Sequence, residues 1–504
     1  MSRAPRFLVI AFALLCGACP ARAVLDAAPA RHTAIIDPAT LRELDSGRFR
    51  LDRMLSPERA TDIPLANDVL FVLPSMVPVR QAIDGEFYRY VARHGDNLPK
   101  ETIGVGESFD FQLFDRALLY SQQTRFVLAG IVNRLDRTYV DEAACGEIRL
   151  IYRLTRINKA AGDNAPSPRL PMTLNLVLRA RSQGSPIRCS EIARRWLAAP
   201  AGGVSEEKGG PLELIGYENI DRIETNLQIA HAPKSPVRDF RTDYLLKVFR
   251  YDPQAHVFAE APMENQIDRA RLLADDGLKR EFKVWLLDPV NLAAFDRGTA
   301  LIPEKFLASG AIAPTPVGFD PSELEPEFGL VQGEGAVFSE ADVVAALKKA
   351  AEAGVKLHNI RSPAGFERRL NDVTCAGCHQ TRGIGGFHFP GVDWMADKPS
   401  NTTVVPASPH FFGDQVRRRD ILASLRDGKP PDYSRGFTSR PQLRGSAELA
   451  GSNYNDGWGA HCYVQGKPVA GNDASFRGWT CAEGLSCQAA GKTSRIGMCF
   501  VKSR

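Results

Sequence analysis

The feature that most constrains how this 504-residue chain can fold is the placement of its ten cysteines. Cys16 and Cys19 lie near the start. Cys145 and Cys189 stand alone in the N-terminal half. Cys375 and Cys378 are followed directly by His379, and Cys462, Cys481, Cys487 and Cys499 crowd the C-terminal end. Residues 1–23 read as a secretory signal: Arg3 and Arg6 begin it, Phe7 to Cys16 is almost wholly apolar, and Ala21-Arg22-Ala23 offers a small-residue cleavage site. The apolar run is too short to span a bilayer, and no later segment reads as a membrane helix. A lipid anchor at Cys19 is the alternative, since Gly17-Ala18-Cys19 resembles the end of a lipobox, although Cys16 stands where leucine is usual. Cleavage after Ala23 leaves eight cysteines, an even number suited to an oxidising compartment, and predicts a periplasmic or secreted protein.

The cysteine groups then predict covalent links. Cys145 is expected to pair with Cys189, two separate buried thiols being the alternative. Cys462, Cys481, Cys487 and Cys499 are expected to pair among themselves in an order that sequence leaves open. Removing the signal takes away arginines and no acid, so the remaining chain is nearly neutral. That balance argues against a nucleic-acid partner.

Cys375-Ala376-Gly377-Cys378-His379 reads C-x-x-C-H, the attachment sequence for a c-type haem. The two thiols become thioethers on the porphyrin vinyl groups, and His379 is placed as the proximal iron ligand. Bacterial haem of this kind is attached outside the cytoplasmic membrane, which agrees with the signal. A structural zinc would want a second close Cys or His pair, and no second C-x-x-C exists. A thioredoxin-like dithiol would want a strand before the motif, whereas Phe366 to Leu370 reads as helix.

The expected fold class is multidomain α+β. Residues 24–300 form a mixed α/β body of unknown role. Ile148, Leu150, Tyr152 and Leu154 alternate with Arg149 and Arg153, the period of a half-buried strand, and Met172 to Leu178 repeats it. Phe126 to Val132 reads as a central strand, Cys189 to Leu197 as a helix, and Tyr244 to Phe249 with His256 to Ala259 as a strand pair turning at Asp252-Pro253. Residues 301–440 form the haem region, with helices over Ser339 to Ala353, from Pro363 or Ala364 to about Val373, and Asp414 to Arg426, the last capped by Asp414. Residues 441–504 form a small disulfide-rich tail with little core of its own.

Around Cys375–His379 the sequence resembles the c-type cytochrome superfamily, over residues 340–430. Gly365 and Phe366 approximate the glycine and aromatic of the leading helix in that family. The resemblance implies one covalent haem c, a mainly helical cytochrome c-like haem region, and electron transfer. Three residues are candidates for the distal ligand. His388 is flanked by Phe387 and Phe389, Met395 follows His379 at a short interval, and His410 precedes Phe411 and Phe412. An open distal position would let the iron bind small ligands or peroxide.

The readings differ in class. The first is an exported mono-haem electron carrier serving a redox partner protein or a small-molecule donor or acceptor. The second is a haem-dependent peroxidase or oxygenase whose body forms a substrate cleft. A third has haem only stapling the fold. Catalytic residues are not identified by sequence. Arg417-Arg418-Arg419 is read as a solvated helix face, with haem propionates or a redox partner as alternatives.

Overall fold

The computed structural model describes residues 32–59, 62–157, 169–199, 208–232, 241–314, 336–374, 414–436, 461–463, 485–489 and 496–501. The chain enters through β1 (Ala34–Ile35), α1 (Pro38–Ser46), α2 (Leu51–Leu55), α3 (Asn67–Leu70) and the long α4 (Val77–Asn97). Next come β2 (Ile103–Gly104), β3 (Phe111–Leu113), α5 (Arg116–Leu119), β4 (Thr124–Arg134), β5 (Glu147–Arg156), β6 (Arg169–Arg179) and α6 (Cys189–Ala198). β7 (Ile220–Ala232), β8 (Arg241–Asp252) and β9 (Val257–Ala261) follow, then α7 (Arg269–Ala274), α8 (Asp276–Leu286), α9 (Pro289–Arg297) and β10 (Gly310–Pro314). The last elements are α10 (Glu340–Glu352), α11 (Pro363–Val373), α12 (Gln415–Arg426), β11 (His461–Tyr463), β12 (Leu485–Ala489) and β13 (Ile496–Val501).

β1 to β10 make one ten-stranded mixed sheet. Its main path runs β1-β4-β5-β6-β7-β3-β2, and β8 joins β7 while carrying β9 and β10. The short β2–β3 pair is parallel and the other ladders are antiparallel. Period-two alternation sorts the side chains onto two faces. Ile148, Leu150, Tyr152 and Leu154 of β5 and Met172, Leu174, Leu176 and Leu178 of β6 point into one core. Residues of α1, α2, α4 and α6 cover them, among them Leu41, Met54, Ile83, Phe87 and Trp196. The opposite face carries Glu147, Arg149 and Glu224, all buried. Arg149 was expected to point to water; it is 4 % exposed.

A second core gathers α7 to α11 around aromatic rings. Phe282 lies 5.0 Å from Phe306 and 5.7 Å from Phe338, ring centre to ring centre. This core runs from Ile267 to Val373. Asp275 caps α8 by accepting from Gly277 N and Leu278 N, so the break between α7 and α8 falls at Asp275. Ser339 and Asp342 form a reciprocal cap on α10, and Gly354 (φ 74°) ends it in the left-handed region that suits glycine.

This topology corrects the expected multidomain α+β class with a separate, mainly helical haem region over 301–440. β10 lies inside that range and is a strand of the large sheet, pairing Gly310 to Pro314 with Asp243 to Lys247 of β8. Leu422 of α12 packs into the core of the N-terminal body. The physical reason is that burial here follows sheet edges and not sequence distance. β10 is a five-residue segment among prolines, with too little alternation to announce itself. β11, β13 and β12 form a separate three-stranded antiparallel sheet in that order. Among the described residues no helix is long and apolar enough to cross a membrane.

Candidate functional site

The site is built around the C-terminal end of α11, because Cys375 follows it directly. Pro363 begins the helix, and the hydroxyl of Ser362 accepts from Gly365 N at 3.1 Å. Phe366 is fully buried, 5.1 Å from Phe338 and 5.5 Å from Phe295 between ring centres. Arg369, also fully buried, donates to the main-chain oxygens of Asp296 (2.6 Å) and Arg435 (2.9 Å). The Asp296 carboxylate accepts from the backbone N–H groups of His358, Asn359 and Ile360. The run into α11 is thus pinned to α9. Val373 and Thr374 end the helix buried.

Val373 lines a cleft of 290 Å³ whose other walls include Arg134, Arg137, Glu147, Arg222 and Arg435. Charge fills this side of the sheet. Glu147 receives Arg137 at 3.0 Å, Arg149 at 2.9 Å and Arg222 at 2.9 Å. Glu224 receives Arg149 at 3.0 Å and Arg222 at 2.8 Å, and Arg137 also reaches Glu264. Burial alone would raise the Glu147 carboxyl, but Arg137, Arg222 and Arg149 outweigh it and hold it well below the usual carboxylate range.

Next to this ladder four guanidinium groups surround two carboxylates. Asp136 accepts from Arg134 (2.8 Å), Arg417 (2.8 Å) and Arg435 (2.9 Å). Asp414 accepts from Arg417 (2.6 Å), Arg418 (2.9 Å) and Arg435 (3.3 Å). Arg418 Nη1 is buried without a hydrogen-bond partner among the described residues. Burial, then the positive charge of Arg134, pushes the Arg418 guanidinium down to about 10. The Arg417–Arg418 run is therefore not a solvated helix face, since its side chains are 19 % and 11 % exposed. Asp414 precedes α12 but does not cap it; its carboxylate is taken up by arginine side chains.

Sequence reasoning missed Arg134, Asp136 and Arg435. They come from the end of β4, the turn after it and an extended segment far along the chain. Their charges carry no periodic signal, and only the fold brings them together.

Cys375, Cys378, His379, His388, Met395 and His410 lie outside the described residues, as do Cys481, Cys19 and the signal segment. Cys145 and Cys189 are joined in a disulfide with Cα atoms 5.3 Å apart. In the tail, Cys487 is disulfide-bonded, and Cys499 is its register partner across β12 and β13. Among the described residues no three His, Cys, Asp or Glu side chains come together to hold a metal ion.

The residues that would hold the group implied by C-x-x-C-H lie outside the described ones; what the described residues show is that the end of α11 borders the cleft through Val373, with Arg134 and Arg435, donors of the kind a carboxylate accepts, on its other walls. Comparison of the chain with protein-family models, curated proteins and solved structures finds no match.

Proposed function

We propose that this chain is an exported mono-haem c-type protein that carries single electrons between a partner protein, or a small-molecule donor, and an acceptor. The observation that carries the reading is the Cys375-x-x-Cys378-His379 sequence directly after a helix end that borders a polar cleft. Cys375 and Cys378 would hold haem c through thioethers, and His379 would ligate the iron, with His388, Met395 or His410 as distal candidates. Bound there, the haem would supply one reversible single-electron step. The protein's own part is to fix the attachment segment through Asp296 and Arg369 and to surround the group with buried charge. The Cys145–Cys189 disulfide supports an oxidising location, periplasmic or secreted.

The cleft beside Val373 favours a second reading, a haem-dependent peroxidase or oxygenase in which the cleft admits substrate.

Intact mass after export with the haem-attachment machinery tests the shared premise: no haem increment removes both readings. Optical spectra with cyanide and carbon monoxide then separate them. A low-spin haem indifferent to both ligands supports the carrier. A high-spin haem that shifts with peroxide supports the enzyme. Single replacement of His388, Met395 and His410 identifies the distal ligand by which change converts the spectrum.

A further inference from the structure

The turn that precedes β5 is one wall of the cleft, which Tyr139, Val140, Asp141, Ala144 and Gly146 all line. Cys145 lies inside this turn, fully buried, with a positive φ of 59°. A residue with a Cβ seldom adopts that left-handed backbone, and it stays there only while its surroundings hold it. Part of the hold is covalent, since Cys145 is bonded to Cys189 at the start of α6. The two sulfurs differ in access: Cys145 is sealed, whereas Cys189 is half-buried and open to solvent on one side.

The same two segments are also joined without the disulfide. Arg181 donates from its backbone N to Ala144 O at 2.8 Å and from Nε to Ala143 O at 2.7 Å, and its Nη1 donates to Ile187 O at 3.2 Å. Ala180 N donates to Gly146 O at 3.0 Å. One arginine thus ties the cleft wall to the residues that lead into Cys189. With the sulfurs parted, these bonds keep the two thiols close, which is the condition for closing again.

We propose that Cys145–Cys189 is a reversible redox switch that sets how firmly the cleft wall is held. The co-reactant is a dithiol. Its first thiolate attacks the accessible Cys189 Sγ; the Cys145–Cys189 bond breaks, and its electron pair leaves on Cys145 Sγ, which takes a proton. The second thiol loses its proton, attacks the mixed disulfide and releases Cys189, which is protonated in turn. Two electrons pass to the protein, and the dithiol departs as a disulfide. Cys145, freed of its tether, can then leave the left-handed region and loosen the wall. The switch works with or without a group at Cys375 and Cys378.

The test treats the full chain with dithiothreitol under native conditions and reads hydrogen exchange by mass spectrometry beside alkylation of each cysteine. Two results support the switch. The pair opens at a rate that rises with dithiothreitol, and peptides covering 138–147 exchange at least about tenfold faster while β6 amides are still protected. Opening that waits for β6 to exchange makes the bond a staple released only by unfolding and overturns the proposal. So does a wall unchanged once the pair is open, or a pair that oxidised glutathione cannot close again. Dithiothreitol also meets the tail cysteines, so the Cys145→Ser, Cys189→Ser chain is the control. Its wall should exchange like that of the reduced wild type, and dithiothreitol should add nothing; a further rise there assigns the effect to the tail and overturns the proposal. Should that chain not fold, partly reduced wild type decides. Wall exchange that tracks alkylation of Cys145 and Cys189 supports the switch, and exchange that tracks Cys462, Cys481, Cys487 and Cys499 overturns it.

Discussion

Asp296→Ala removes the clamp that sets α11. Asp296 is 1 % exposed, and its carboxylate accepts three backbone N–H groups, from His358 at 2.8 Å, Asn359 at 2.7 Å and Ile360 at 2.6 Å. Its main-chain oxygen, which receives Asn359 Nδ2 and Arg369 Nη2, is untouched by the change. A hydrogen bond to a charged group contributes about 1.5–3 kcal/mol, and these three share one acceptor, so their loss should come to about 4 kcal/mol rather than the full sum. That corresponds to a roughly thousandfold larger open population for the segment. Hydrogen exchange read by mass spectrometry on peptides from 336–374 measures it directly, with peptides from β5 as the internal reference. Asp296→Asn should show about half the free-energy effect, because the retained oxygen can still accept from Asn359 and Ile360. On the haem reading proposed above, a looser lead-in should also lower the haem content per chain. Exchange within about threefold of wild type in Asp296→Ala would refute the clamp, since it would place these bonds below about 1 kcal/mol.

Cys145→Ser with Cys189→Ser opens a link between residues 44 apart in sequence, for which chain entropy predicts a loss of about 4 kcal/mol in denaturant unfolding; a loss under about 1 kcal/mol would discard that account. Phe366→Ala deletes a fully buried ring between Phe295 and Phe338 and should cost about 3–5 kcal/mol in urea unfolding. A smaller loss would mean that the aromatic core refills the gap. The Asp136, Asp414 and Glu147 carboxyls are held below their ordinary values in the folded chain, with burial opposed and outweighed by arginine charge. Their contribution to stability is therefore complete above the unfolded carboxylate value of about 4 and is lost as pH falls below it toward the depressed folded values. Melting temperature should drop steeply on acidification from about pH 5 to pH 3, and less steeply in Asp414→Asn; identical slopes would contradict the assignment.

Much of the fold was legible because its strongest elements bury one face. β5, β6, α6, α10 and α11 lie where alternation, apolar spacing and capping residues placed them. The Ser339 cap was readable because its partners are local. Asp414 shows the opposite case. It has the right residue type before a helix, yet Arg417, Arg418 and Arg435 compete for its oxygens and win. Arg149 shows a second limit. Alternation tells which residues share a face, but it does not tell whether that face meets water or a further layer of protein. The separate helical haem region failed for a related reason, since β10 and α12 find their partners in strands and helices far away in sequence.

The charged face of the sheet also explains why a cleft persists beside α11. Buried ion networks are weak sources of stability, because the cost of removing both charges from water nearly cancels their attraction. They are strong sources of register. Sliding β5 by one residue would turn Glu147 and Arg149 into the apolar core under α1 and α4 and bring Ile148 and Leu150 against Glu224 and Arg222. That alternative leaves several buried charges unpaired, so the pairing is fixed even where the net energy gained is small. An apolar face at the same place would have closed onto the aromatic core of α7 to α11. Paired charged side chains keep their spacing, and several of them, Arg137, Glu147, Arg149, Arg222 and Glu224, line the cleft that Val373 and Arg435 share. The arginine and glutamate ladder therefore preserves a polar opening beside Val373, at the end of α11.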